Sequence, residues 1–176
     1  GKRAFEARVN GESIHQRSAL VNCLPLVWIG SQPQSLVTTG PESRRGFLDM
    51  ALFHVEPKEF RALSGKFHRV LKQRNAALRQ GDPATIVSWD SSFVEHALEI
   101  DRRRTELIDG LMPRVQRQLD RWGMGVPLSY RYRNGWDRNG SLQAQLASKI
   151  LRDAQQGFTS IGPHRADLLL HTDRGP

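Results

Sequence analysis

The chain has 176 residues, a formal charge of +8 and 38% hydrophobic residues. That suits one domain, or one and a fraction, with a modest core and an elongated shape. Cys23 is the single cysteine, which excludes an internal disulfide framework and leads us to expect a reducing, cytoplasmic setting. No apolar run approaches the roughly 18 residues of a membrane helix, and Gly1-Lys2-Arg3 lacks the apolar stretch that would follow in a signal peptide. The positive excess points to an anionic partner without saying which.

Phe5, Ala7 and Val9 alternate with Glu6 and Arg8, then Asn10-Gly11 leads into Glu12 to Gln16. Asn-Gly tolerates positive φ at both central positions, so this reads as a type I′ hairpin. Leu24 to Ile29 is a short apolar run that reads as a buried strand, broken by Gly30 to Pro33. Gly40-Pro41 opens a helix, because proline suits a first turn, and this helix should turn Phe47, Leu48, Ala51 and Leu52 inward. Pro57 opens the next helix, which runs to about Gln80 and stops at Gly81-Asp82-Pro83. Ser88 and Asp90 are candidate caps for a long helix from about Trp89 to Trp122, kinked at Pro113. Leu128, Tyr130 and Tyr132 alternate with polar residues as in a strand. Leu142 to Gln155 reads as a helix, Thr159 to Ile161 and Asp167 to His171 as strands, and Asp173-Arg174-Gly175 as a turn. The fold class is α+β, predominantly helical. It divides into a β-rich piece (1–40), a helical arm (41–125) and a strand–helix–strand return (126–176).

The helix after Pro57 is the most informative element. Phe60, Leu63, Phe67, Val70, Leu71 and Leu78 form one apolar stripe at helical spacing. Arg61, Lys72 and Arg79 stack opposite it, flanked by Lys58 and Arg69. Lys58, Arg61, Lys66, Arg69, Lys72, Arg74 and Arg79 are set against Glu59 alone, so this helix carries six of the eight net positive charges. Such a run is either a solvated outer face or a phosphate-contacting one. A solvated helix ordinarily mixes signs to relieve repulsion, and this one does not. In the long helix, Phe93, Ala97, Ile100, Leu107, Leu111, Val115, Leu119 and Trp122 recur by threes and fours like a coiled-coil seam. There Arg102, Arg103 and Arg104 are balanced by Glu95, Glu99, Asp101, Glu106 and Asp109. The two helices should pack as an antiparallel hairpin.

Arg74 and Arg104 fall in the middle of these apolar stripes. An unpaired buried guanidinium costs several kcal/mol, roughly, so each needs partners. A structural ion pair that fixes the register is the favoured reading, and DNA contact the alternative. Arg44 and Arg45 sit in a first helical turn, where they oppose the dipole. They are candidates either for salt bridges or for an anion site on DNA or nucleotide. Gly162-Pro163-His164-Arg165 is a rigid turn presenting His164 and Arg165, with Arg165 pairing to Asp167 as the purely structural alternative. The six histidines have no metal spacing, and no nucleophile–base arrangement stands out, so neither a metal site nor a catalytic residue is nominated.

Three stretches carry a family signal: Pro41-Glu42-Ser43-Arg44-Arg45-Gly46-Phe47-Leu48-Asp49, Lys72-Gln73-Arg74-Asn75-Ala76-Ala77-Leu78, and Thr159 to Leu168 with Gly162-Pro163-His164-Arg165-Ala166-Asp167 at its centre. In this order and at these separations they resemble the RecF family, bacterial recombination-repair ATPases with an ABC/SMC-type head. The resemblance runs from about Leu24 to Leu170. It implies a parent protein that binds ATP and Mg²⁺, binds DNA, dimerises on ATP, and works with RecO- and RecR-type partners to load RecA at gaps coated by single-strand-binding protein. The sequence contains no G-x-x-x-x-G-K-[ST] phosphate loop, no signature loop after Arg165 and no apolar strand ending in paired acids. The chain therefore reads as an internal piece, the arm with small parts of the head, without bound cofactor or ATPase activity of its own. Its own contribution would be DNA or partner binding.

ABC-type ATPases place a glutamine near such a head-to-arm junction, where it senses Mg²⁺ and the γ-phosphate, which nominates Gln32. The surrounding Ser31-Gln32-Pro33-Gln34 departs from the Pro-acid pattern of RecF relatives and favours a plain loop residue. Ala166 stands where many relatives carry an acid, which puts in doubt any role needing two adjacent carboxylates. The competing readings are a protein-interaction arm of another SMC-like ATPase and a basic helical RNA-binding protein.

Overall fold

A computed structural model describes residues 7–14 and 35–172. The Leu24–Ile29 strand, Cys23, Gln32 and the Asp173–Gly175 turn lie outside the described residues. The first strands, β1 (Ala7–Val9) and β2 (Glu12–Ile14), pair antiparallel. Between them Asn10 and Gly11 take φ of 51° and 86°, the left-handed pair that a type I′ turn demands.

Helix α1 (Ser35–Thr38) precedes α2 (Pro41–Val55), α3 (Pro57–Gln80), α4 (Pro83–Ser88) and α5 (Asp90–Arg121). Proline at the first turn starts α2, α3 and α4, where its missing N–H costs no bond. Gly81, at φ 74°, ends α3 and donates to the Ala77 carbonyl at 3.0 Å. Asp82 then caps α4 by accepting from Ala84 N at 3.2 Å. The expected caps of α5 are not used. Ser88 Oγ donates back to the Thr85 carbonyl, and Asp90 turns into the core, because α4 already leads the chain into α5. Helix α5 continues through Pro113.

Helices α3 and α5 pack antiparallel. Arg74 near the end of α3 meets Asp90 at the start of α5, and Glu56 just before α3 pairs with Arg103 in the middle of α5. Phe60, Phe67 and Val70 of α3 bury against Phe93, Ala97 and Ile100 of α5, with Leu52 of α2 joining them. Each fully buried phenylalanine contributes about 1.5–3 kcal/mol through area removed from water. Beyond Ile100 the buried face of α5 runs through Ile108 and Met112, while Leu107 and Leu111 are only partly buried and Trp122 is exposed. The sequence seam thus drifts, because a straight helix of 3.6 residues per turn slips from a strict heptad. Similarly, Phe47 is exposed where the sequence suggested burial, and Leu48 and Leu52 are the buried apolar residues of α2, with partly buried Phe53 packing edge-on against Phe60.

The last third returns over this layer. Strand β3 (Leu128–Arg133) pairs antiparallel with β4 (Asp167–Thr172), in register from Leu128↔Thr172 to Arg133↔Asp167. Leu128, Tyr132, Leu168 and Leu170 face Leu48, Ile108 and Met112. Between the strands α6 (Leu142–Gln156), capped by Ser141, packs on α3 and α5. Thr159 to Ile161 forms no strand. It is an irregular turn leading into a short 3₁₀ helix, Pro163–Arg165. The two turns that flank the sheet touch through glycines. Gly162 N donates to the Gly135 carbonyl at 3.1 Å, and a Cβ on Gly135 would lie 2.2 Å from the Gly162 oxygen. No side chain fits there.

Candidate nucleic-acid interface

The outer side of α3 is a basic ridge. Lys58, Lys66, Arg69, Lys72 and Arg79 are exposed, and none forms an ion pair with a described residue. Arg79 donates to the Gly157 carbonyl at 3.2 Å, which leaves its charge uncompensated. Arg61 is half-buried and engaged with its surroundings. The middle of α5 treats its arginines differently. Arg102 pairs with Glu99 at 2.7 Å and Glu106 at 2.6 Å, and Arg103 with Glu99 at 2.7 Å and with Glu56. The hydrogen bond from Arg102, aided by that from Arg103, holds the Glu99 carboxyl down to about 2. The 99–106 stretch of α5 pairs its cations with acids, whereas the outer side of α3 displays them, as do Arg114, Arg117 and Arg121 further along α5.

The inner side of α3 carries a cation of the opposite kind. Arg74 is 0% exposed. Its Nε donates to Asp90 at 2.8 Å and its Nη1 to Thr159 Oγ1 at 2.9 Å, with Asp153 at 3.6 Å and the Phe93 ring centroid 5.9 Å from Cζ. Asn75 completes the lock by accepting from both the amide and the hydroxyl of Thr159 at 2.8 Å. Arg104 does the same one layer over. It grips Asp49 through Nε and Nη2, each at 2.9 Å, and donates to the Pro163 carbonyl at 2.8 Å. The two buried arginines therefore hold the two ends of the 159–163 turn against the helices.

Arg44 and Arg45 join that clamp. Arg44 binds Asp167 with Nε at 2.7 Å and Nη2 at 3.1 Å, and gives Nη1 to the Thr39 carbonyl. This pairing raises its pKa. Arg45 donates to the Ala166 carbonyl at 2.8 Å, and burial followed by the Arg104 charge lowers its pKa. Asp167 is thus taken by Arg44 and not by Arg165, which instead lies 5.0 Å over the Phe158 ring. His164 is half-buried between Phe67 and Phe93, with Nε2 on the Thr159 carbonyl at 2.9 Å. Burial, only partly offset by that hydrogen bond, pushes its imidazole down to about 4. It is neutral at physiological pH.

Sequence reasoning placed Arg74 and Arg104 but not their partners Asp49, Asp90, Asp153 and Thr159. Long-range pairing has no local signature. It also passed over Asn134-Gly135-Trp136, whose Asn-Gly step marks the turn that meets Gly162. Among the described residues no group of three His, Cys, Asp or Glu could hold a metal ion, and no helix is long and apolar enough to cross a membrane.

No protein-family model matches the chain. It is 39% identical over 168 residues to the DNA replication and repair protein RecF of Pseudomonas putida F1, a match covering 94% of this chain and 46% of that protein. The RecF of Thioalkalivibrio sulfidiphilus is 36% identical over 171 residues, covering 97% of this chain and 47% of its own length. The chain spans about half the length of the curated relatives it matches. Among solved structures, the recombination mediator protein RecF-ATP of the RecFOR pathway superimposes with a TM-score of 0.83 at 19% identity, over 96% of this chain and 48% of that one. The RecF-ATPrS structure gives 0.82 at 19% identity. These structures share its fold.

Proposed function

We propose that this chain, which belongs to the RecF family, supplies a DNA-backbone contact to a recombinational repair ATPase through the outer ridge of α3. The observation that carries the reading is the ridge of Lys58, Arg69, Lys72 and Arg79, exposed and without a carboxylate partner among the described residues. Arg61 lies on the same side. Cations held this way exchange for the counterions condensed on a phosphate backbone, giving affinity without sequence preference. The RecF relatives and the RecF-ATP structure of the RecFOR pathway support a larger frame. In that frame the intact protein binds ATP with Mg²⁺, dimerises on ATP, acts in the cytoplasm with RecO- and RecR-type partners, and helps load RecA at gaps coated by single-strand-binding protein. The stretch itself adds no ATPase chemistry, because the phosphate loop, signature loop and paired acids are absent from its sequence. Gln32 stands as a sensor candidate only in that frame.

The test is DNA affinity of the intact protein with ATP, by fluorescence anisotropy across a salt series. Neutralising Arg69 and Lys72 to Gln should flatten the slope of log affinity against log salt by roughly two. An unchanged slope removes the ridge from the DNA interface. A protein-contact role is the second reading, favoured by Trp122 and Met124, which are 67% and 50% exposed beyond the end of α5. Loss of partner binding with an intact salt slope in a Trp122→Ser variant would support it.

A further inference from the structure

A cleft of about 580 Å³ opens between the end of β3, the turn after it and the 163–165 turn, and four arginines line it: Arg131, Arg133, Arg138 and Arg165. Strand alternation puts Arg131 and Arg133 on the face of the sheet opposite Tyr130 and Tyr132. Of the two carboxylates in the cleft, Asp167 is ion-paired, while exposed Asp137 keeps its charge, one acid against the cleft's arginines. Asp167 gives both oxygens to Arg44, and Asp137 Oδ1 accepts from Asn139 N at 2.9 Å. Arg138 is tied to Asp101 at 3.0 Å. Arg131, Arg133 and Arg165 remain, all exposed and none ion-paired with a described residue.

Arg131, Arg133 and Arg165 line one concavity, with Arg165 stacked at its side on Phe158, and an anion there offsets their like charge. Their planar forks match phosphate oxygens, two donors at a time. The frame that spaces them is stiff, because Gly135 and Gly162 meet backbone to backbone under the cleft. The ordering cost of binding is therefore already met in part. Tyr132 and Trp136 also line the cleft, but both rings are packed into the core clusters, so neither is free to stack on a base. Phosphate is the group this cleft can read.

We infer that the cleft is a second phosphate-binding site, built by Arg131, Arg133 and Arg165, that takes either backbone phosphates of a nucleic acid or a free polyphosphate chain. It shares only its ligand chemistry with the ridge of α3 and uses none of the ridge residues. The test compares Arg131→Gln/Arg133→Gln with the wild type of the intact protein, and with the same pair added to Arg69→Gln/Lys72→Gln. A labelled duplex oligonucleotide is titrated across a salt series, and inorganic tripolyphosphate is titrated by calorimetry. A salt slope lower by roughly two in both backgrounds assigns the cleft to nucleic acid. Lost tripolyphosphate binding with an unchanged slope assigns it to a free polyphosphate. Unchanged behaviour with both probes overturns the inference. If the ridge pair leaves the slope unchanged while the cleft pair lowers it, the ridge reading falls and the cleft stands. Should the Gln pair melt early, Arg131→Lys/Arg133→Lys is read instead, since it keeps charge but loses the fork. Affinity reduced several-fold at constant slope then supports the site, and wild-type affinity for both probes overturns it.

Discussion

Lys72 and Arg74 stand two residues apart on α3 and live in opposite worlds. Lys72 is exposed on a ridge and forms no ion pair with a described residue, while Arg74 is 0% exposed between Asp90, Asp153 and Thr159. The difference comes from helical phase alone. Two residues turn the helix through about 200°, so one cation faces water and the other faces α5 and α6. A positive residue on this helix is thus a binding group or a structural group according to its face, and each face should fail in its own way.

The largest failure should follow loss of a buried carboxylate. Asp90→Ala leaves Arg74 with Asp153 at 3.6 Å as its remaining charge partner, and should cost about 3–5 kcal/mol in chemical denaturation. A cost below about 1 kcal/mol would break the contrast between the faces, because it would mean Arg74 is solvated. Arg104→Leu comes next. Its partner Asp49 is 25% exposed and can recover water, so the expected loss is smaller, about 2–3 kcal/mol. A loss equal to that of Asp90→Ala would show that the bond to the Pro163 carbonyl matters more than the ion pair.

The smallest effect is a pH dependence on the buried side. His164 titrates near 6.5 in an unfolded chain and is pushed down to about 4 here by burial. Between those values the unfolded chain binds the extra proton, so stability falls as pH drops from 6.5 towards 4. The wild-type loss across that window should exceed that of His164→Gln by about 1–3 kcal/mol. Identical pH profiles would place the imidazole in water.

Much of this division was legible beforehand, because helical periodicity is a local property. The bounds of α3, its apolar stripe, its basic ridge and the anomaly of two arginines on apolar faces all follow from residue spacing. What escaped depends on contacts far along the chain. Asp90 looked like a cap because an acid at a helix start ordinarily is one, until Arg74 claimed it. Thr159 to Ile161 looked like a strand from composition, yet Asn75 and Arg74 bind Thr159 and hold it in a turn. Sequence proximity offers Arg165 as a partner for Asp167, whereas Arg44 reaches it from a residue separation of 123. The arginines of β3 read as ordinary polar alternates, and that they line one cleft with Arg165 appears only once β3 and β4 pair.

The most direct test of the two-faced helix is one pair of thermal melts on the intact protein, Arg74→Leu against Lys72→Leu. The substitutions end in the same side chain and sit two positions apart. Arg74→Leu strands two buried carboxylates and should lower the melting temperature by roughly 10 °C, at about 2–4 °C per kcal/mol for a domain of this size. Lys72→Leu should stay within about 2 °C of wild type, as an exposed substitution does. Equal melting temperatures for the two variants would contradict the account.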